Sequence, residues 1–298
     1  MQALGSGLVR PGRDVRLANS GTPLLAPPST QPTSGLARVL DAFLGTGRRS
    51  LPLQRPVRAT QGDDLGPGQL RLESDFRLGE HDVHHLRLDV ENHASGSSQF
   101  TAAGLRTLRA AVERAQPGAR IVVVDLRQES HGLLHGEPIE WMGPQNQANR
   151  GKSPTAICAD EQRRLSELGG QTEAEVCAGE GLEYVRLPVT DHLTPDDATV
   201  RQFLRLAERL EREGAWVHFH CKAGRGRTTT FMALWELFRG RRGLVDVTRV
   251  AERQRDLGGV DLLKAKPLEE DGGSSTCRRD LLLRFPALAR GDGERARP

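Results

Sequence analysis

The stretch His220-Cys221-Lys222-Ala223-Gly224-Arg225-Gly226-Arg227-Thr228 decides both the fold and the chemistry of this chain. It follows residues 216–219, which read as a strand. It opens a helical pattern that begins near Arg227 and runs through Phe231, Leu234 and Leu237. A glycine-containing turn between a strand and a helix aims backbone N–H groups inward at the helix N-terminus, which makes a cradle for a phosphate. Gly224 and Gly226 permit backbone angles that a β-carbon resists. Arg227, six positions after Cys221, folds back over the same cradle, and its planar fork takes two phosphate oxygens at once. These positive surroundings favour the thiolate of Cys221, the nucleophilic form. Thr228 is placed to hydrogen-bond the sulfur, His220 to brace the loop from behind, and Lys222, Ala223 and Arg225 to complete the cradle. An isolated cysteine at a strand end is ordinarily buried and inert; the His, Gly, Arg and Thr around this one argue for a nucleophile.

Outward from this segment, strand and helix patterns alternate, and residues 66–290 read as one catalytic domain. Ala102–Ala115 carries Leu105, Leu108 and Val112 at helical spacing. Residues 121–124 form a continuous apolar, β-branched run expected as a buried strand, and residues 184–189 form another. Thr194 reads as a helix N-cap, with Pro195 at the first helical position and Asp197 three residues after the cap. Val200, Phe203, Leu204, Ala207 and Leu210 then make one apolar stripe, and Gly214 ends it. Alternating strands and helices imply an α/β sandwich, with a central, mostly parallel sheet flanked by helices. Residues 139–181 hold turn-rich and helical stretches without an assigned place.

The signature resembles the HCxxGxxR(S/T) segment of the protein tyrosine phosphatase superfamily. That resemblance implies a general acid on a loop upstream. Thr190-Asp191-His192-Leu193-Thr194-Pro195 lies between a strand and a helix, and Asp191 precedes Cys221 by 30 residues. Asp191 is therefore the expected acid, with a turn or capping role as the bland alternative.

Other segments are similar to the protein tyrosine phosphatase-like phytases, bacterial cysteine phosphatases that dephosphorylate myo-inositol hexakisphosphate. Asp125-Leu126-Arg127-Gln128-Glu129-Ser130-His131-Gly132 is similar to their DLRxESHG segment, and Ser95-Gly96-Ser97-Ser98-Gln99-Phe100 to SGSxQF. Phe76-Arg77, Asp191-His192, and Arg253-Gln254 with Gly258-Gly259 follow the same family pattern in order. The resemblance implies hydrolysis of inositol polyphosphates through a phosphocysteine, with no cofactor and no metal. A polyanionic substrate calls for several cations. Lys222 and Arg225 sit on the loop, Arg77, Arg127, His131 and His192 are candidates for the rim, and Lys264 and Lys266 are further candidates. Asp125 is expected at the site or holding the loop. The competing view is that Arg127 and Glu129 pair structurally beneath the pocket.

Composition excludes several other classes. The net charge of +3 divides unevenly: residues 1–60 hold eight Arg and no Lys against Asp14 and Asp41, which is 8 − 2 = +6. Seven of the 17 prolines also fall there. Residues 1–65 are accordingly expected to be a disordered or linker-like segment, with at most a short helix over 36–44, and residues 291–298 a frayed tail. No reading element for nucleic acid accompanies the basic start. The four cysteines form no CxxC pair and the histidines no HExxH spacing, so neither pattern marks a metal site. No apolar run is long enough to span a bilayer, and Arg10, Arg13 and Arg16 interrupt the one candidate export signal. The expected location is cytoplasmic, or exported as an effector; the oligomeric state stays open. A phosphotyrosine phosphatase is the first alternative, disfavoured because Tyr184 is the sole tyrosine. A non-catalytic phosphate-binding module is the second, disfavoured because binding needs no nucleophile.

Overall fold

A computed structural model describes residues 83–266 and 272–291, all within one compact unit. The expectations for residues 1–65, for the helix at 36–44, for Phe76 and Arg77, and for the tail beyond 291 lie outside the described residues. Among those described, the strands are β1 Arg87–Asp89, β2 Ala94–Ser97, β3 Ile121–Arg127, β4 His131–Leu134, β5 Glu137–Glu140, β6 Glu183–Val189 and β7 Trp216–His220. The helices are α1 Ala102–Ala115, α2 Pro154–Leu168, α3 Glu173–Gly179, α4 Asp197–Arg212, α5 Gly226–Arg239, α6 Val247–Asp256 and α7 Ser274–Arg290.

Five strands form one sheet in the order β1-β2-β7-β3-β6. β2, β7, β3 and β6 run parallel, and β1 joins β2 antiparallel at the edge. β3 is buried at every position, as a parallel strand covered on both faces must be. Its period-two alternation divides it between two cores. Val122, Val124 and Leu126 meet the apolar stripe of α4 and residues of α5 and α7. Ile121 and Val123 meet Leu105, Leu108 and Val112 of α1, with Val176 and Cys177 of α3. The sheet is thus sandwiched between helices, as expected. No helix among the described residues is long and apolar enough to cross a membrane.

Two boundaries differ from the sequence reading. β3 continues past residue 124 to Arg127, carrying Asp125 and Arg127 into the interior. The N-cap of α4 is Asp196, not Thr194: the Asp196 carboxylate accepts from the Thr199 N–H, while the Thr194 hydroxyl donates to Ser274 O. The carboxylate also complements the positive end of the helix dipole, which a hydroxyl does less well. Residues 139–181 resolve into the end of the β4–β5 hairpin, a short turn at Pro144–Asn146, and helices α2 and α3.

Candidate active site

β7 lies between β2 and β3, and the chain leaves its carboxyl end at Cys221 to form the loop that begins α5. Gly224 has φ +67°, and a β-carbon there would stand 2.3 Å from Ser98 N, so no other residue fits this turn. The Gln99 N–H donates to Lys222 O at 3.1 Å, tying the loop to the segment after β2. Buried Arg87, from β1, donates to Gly224 O at 2.9 Å and to Thr229 Oγ1 at 3.1 Å. Burial pulls the Arg87 guanidinium down to about 10, with Cys221 acting in the opposite sense. The Thr228 hydroxyl donates to Cys221 Sγ at 3.1 Å. α1, α2, α3, α4 and α6 each begin with a side chain accepting from a first-turn N–H; α5 begins at Arg225 with none. The first amides of α5 are therefore left to face the loop, the arrangement that suits an anion.

Across this loop runs a chain of alternating charges. Lys222 pairs with Glu140, Glu140 with Arg127, Arg127 with Glu129 at 2.9 Å, Glu129 with Arg227, and Arg227 Nη2 with Asp191 Oδ1 at 3.0 Å. Arg127 also donates to Gln99 Oε1, and Arg227 Nη1 to Val189 O at 3.0 Å. Burial opposes ionisation of Glu129, but the Arg227 and Arg127 guanidiniums outweigh it and hold the carboxyl well below the usual range. Burial likewise works against the charge on Arg227, and Glu129, Asp191 and Cys221 together raise it well above its ordinary value.

Beneath the loop, His220 is wholly buried, with Nε2 3.1 Å from Glu173 Oε2 and its ring against Phe100. His131 Nε2 stands 3.3 Å from Glu173 and 3.4 Å from Asp125. Asp125, His131 and Glu173 thus converge as a set of residue types that can bind a metal, which their sequence spacing does not reveal. Here Asp125 is already occupied, accepting from Tyr184 OH at 2.8 Å and from the Arg127 N–H at 2.8 Å, with Arg186 Nε at 3.2 Å.

The structure sorts the expected site residues into three groups. Cys221, Arg227, Asp191, Thr228 and the loop residues Lys222, Ala223, Gly224, Arg225 and Gly226 come together, with Cys221 only 3% exposed. His192 sits beside Asp191, 60% exposed in its side chain and at φ +63°. Asp125, Arg127, His131 and His220 are corrected from substrate or rim positions to the interior, each 0 or 1% exposed: β3 carries Asp125 and Arg127, β4 begins at His131, and β7 ends at His220 behind the loop; Arg127 pairs there with Glu129, as the competing view held. Lys264 and Lys266 are exposed in the segment after α6, where the Lys264 backbone N–H donates to Asp261. Arg253 and Gln254 pair with Asp89 and Glu236, fastening α6 to the edge of the sheet. The sequence reading missed Glu140, Glu173, Asn146 and Arg87, all supplied by elements remote in the chain. It also missed Arg278 of α7, whose Nη2 lies 3.4 Å from where a β-carbon on Gly226 would be.

Comparison with known proteins fits this geometry. The protein tyrosine phosphatase-like phytase family model, described as inositol hexakisphosphate, matches residues 168–239. Effector protein hopD2 of Pseudomonas syringae pv. tomato is 26% identical over 83% of this chain, and the chain spans 62% of that relative's length. A protein tyrosine phosphatase-like phytase from Bdellovibrio bacteriovorus superposes with a TM-score of 0.68 at 29% identity, over 79% of this chain and 92% of that one. The fold is shared too with a myo-inositol phosphatase from Mitsuokella multacida, solved in complex with myo-inositol-(1,3,4,5)-tetrakisphosphate; there the TM-score is 0.62 at 24% identity, over 76% of this chain and 43% of that one. In both sequence match and architecture this chain is thus similar to the protein tyrosine phosphatase-like phytases.

Proposed function

We propose that this chain is a phosphomonoester hydrolase that removes phosphate from myo-inositol polyphosphates through a phosphocysteine intermediate. The observation that carries the reading is that the loop beginning α5 holds Cys221 Sγ, bonded by the Thr228 hydroxyl, and that Arg227 at the start of that helix stands 3.0 Å from Asp191 of the loop after β6. In the first step the Cys221 thiolate attacks phosphorus, an S–P bond forms, and the ester P–O bond breaks. Asp191 gives its proton to the departing oxygen. In the second step a water attacks the phosphocysteine, Asp191 takes its proton, and the S–P bond breaks to return the thiolate and release inorganic phosphate. Arg227, gripped from behind by Glu129, exchanges its contact with Asp191 for phosphate oxygens.

Exposed Arg225, Arg278 beside Gly226, and Lys222 at the loop's other side give a polyanionic substrate cations around the reacting phosphate, and His192 beside Asp191 adds an exposed imidazole. Tyr184, the sole tyrosine, spends its hydroxyl on Asp125 beneath the loop, so it does not clamp an aromatic substrate; this counts against a phosphotyrosine preference. The similarity to an effector protein supports export as an effector over a cytoplasmic role.

The deciding experiment measures phosphate release by wild type and Cys221→Ser from inositol hexakisphosphate and from a phosphotyrosyl peptide, with inositol phosphate isomers resolved. The expected result is release from the inositol ester by wild type alone. Faster release from the peptide would overturn the substrate assignment, and silence of wild type toward both would overturn the activity.

A further inference from the structure

Asp191 is held by a second segment, distant in sequence. Asn146 Nδ2 donates to Asp191 Oδ2 at 3.0 Å, and Gln147 Nε2 donates to the Asp191 backbone carbonyl at 3.1 Å. The other carboxylate oxygen, Oδ1, faces Arg227 Nη2 at 3.0 Å and accepts from the His192 N–H at 2.9 Å. The segment bearing Asn146 is itself fastened to the site. Asn149 Nδ2 donates to Gln128 O at 3.1 Å and Ser130 Oγ at 2.8 Å, and the Trp141 N–H donates to Ser130 O at 3.0 Å. The Asn146 N–H closes a turn on Gly143 O at 2.9 Å. Gln145 and Asn146 both take left-handed backbone angles, φ +54° and +58°, and Asn146 is buried. Asparagine tolerates that conformation better than most residues, so here it serves the turn and the amide together. Among the described residues the Asn146 side-chain oxygen is buried without a partner, so the polar contact its side chain makes there is with Asp191.

We propose that Asn146 is a positioning residue for Asp191, its amide holding Oδ2 so that the carboxyl group keeps Oδ1 turned to the Arg227 side, from which the proton is handed over. This rests on the reading of Asp191 as general acid. The His192 N–H on Oδ1 and the Asn146 amide on Oδ2 together fix the plane of the carboxyl group, and of these two donors only the Asn146 amide is a side chain that substitution can remove. When substrate phosphate takes Arg227 Nη2, Oδ1 loses that donor and points its O–H at the oxygen leaving phosphorus. The proton passes to that oxygen as the P–O bond breaks, and the Asp191 carboxylate that remains keeps the Asn146 and His192 N–H groups as partners.

The test compares an alcohol ester, inositol hexakisphosphate, which needs the proton, with an activated aryl phosphate whose leaving group departs as a stable anion and needs it far less. kcat/KM for each reports only the steps through formation of the phosphocysteine, so slow hydrolysis of the intermediate does not enter. The ratio of the two values, taken within one preparation, also cancels the amount of folded enzyme. General acids contribute on the order of 100- to 10,000-fold. Loss of the positioning amide is expected to lower the alcohol-to-aryl ratio at least about tenfold in Asn146→Gly, which keeps the left-handed backbone. Asn146→Asp, which sets a carboxylate against Asp191 while keeping the side-chain shape, is expected to lower it comparably. A ratio within about threefold of wild type in both variants overturns the proposal. Silence of wild type toward both esters would instead remove the phosphatase reading on which it rests.

Discussion

Glu129 grips Arg227 with both carboxylate oxygens, Oε2 to Nη1 at 2.7 Å and Oε1 to Nη2 at 2.8 Å. Oε1 of the same carboxylate also accepts from Arg127 Nε at 2.9 Å. One buried carboxylate therefore orients the guanidinium proposed to bind phosphate and neutralises a second buried cation behind it. Glu129→Gln should destabilise the fold by about 3–5 kcal/mol, the usual consequence of leaving a buried charge unpaired. It should also lower kcat/KM for phosphate release, and denaturant unfolding alongside steady-state kinetics separates the two losses.

The His131–Glu173 pair predicts a stability plateau with an acid and an alkaline edge. Burial opposes ionisation of Glu173, but His220 and His131 hold its carboxyl well below the ordinary 4.5. Its contribution is therefore present above 4.5 and lost as pH falls through the depressed folded value. His131 is raised above its ordinary 6.5: burial and Arg127 act against its charge, and Glu173 and Asp125 prevail. That contribution is present below 6.5 and lost as pH rises through the raised folded value. Glu173→Gln should flatten both edges in denaturation curves collected across pH.

The hydroxyl on the sulfur predicts a kinetic effect with little structural cost. Thr228 is buried in the first turn of α5, and Thr228→Val keeps its shape while deleting the donor 3.1 Å from Cys221 Sγ. A hydrogen bond to a charged group contributes about 1.5–3 kcal/mol, so kcat should fall roughly 10- to 150-fold. A circular dichroism melt close to that of wild type, measured beside the rate, would show that the loss is chemical.

Gly224 predicts failure of the loop as a whole. Gly224→Ala places a β-carbon 2.3 Å from Ser98 N and 2.5 Å from Ser97 C at φ +67°. The neighbouring atoms are backbone, so the loop must move and not merely a side chain. Phosphate release should fall below detection, and Cys221 should become more reactive toward bulky thiol reagents as its loop opens.

Much of this architecture was legible in the order of residues. α1 matches the helix read at Ala102–Ala115, and the stripe of α4 is buried at Val200, Phe203, Leu204, Ala207 and Leu210 as its spacing required. Both are local periodicities, which need only neighbours within a few turns. The cap of α4 was misplaced because Thr194 and Asp196 both suit the role, and the choice depends on Ser274, 80 residues away, accepting from Thr194. Burial of Asp125 and His131 was misjudged for a similar reason. An ionisable residue at a strand end reads as a surface group until its partners appear, here Tyr184, Arg186 and Glu173.

The linear pattern was enough to establish the strand-turn-helix around Cys221, because glycine placement, helix amides and the spacing to Arg227 are all contained within nine consecutive residues. Beyond the Arg127–Glu129 pair, which charges face one another was settled by the packed chain. The ladder from Lys222 through Glu140, Arg127, Glu129 and Arg227 to Asp191 draws on β3, the turn after it, β5, the loop and helix around Cys221, and the loop after β6. Coulomb pairing in a dry interior acts through space, and separation along the chain carries no trace of it.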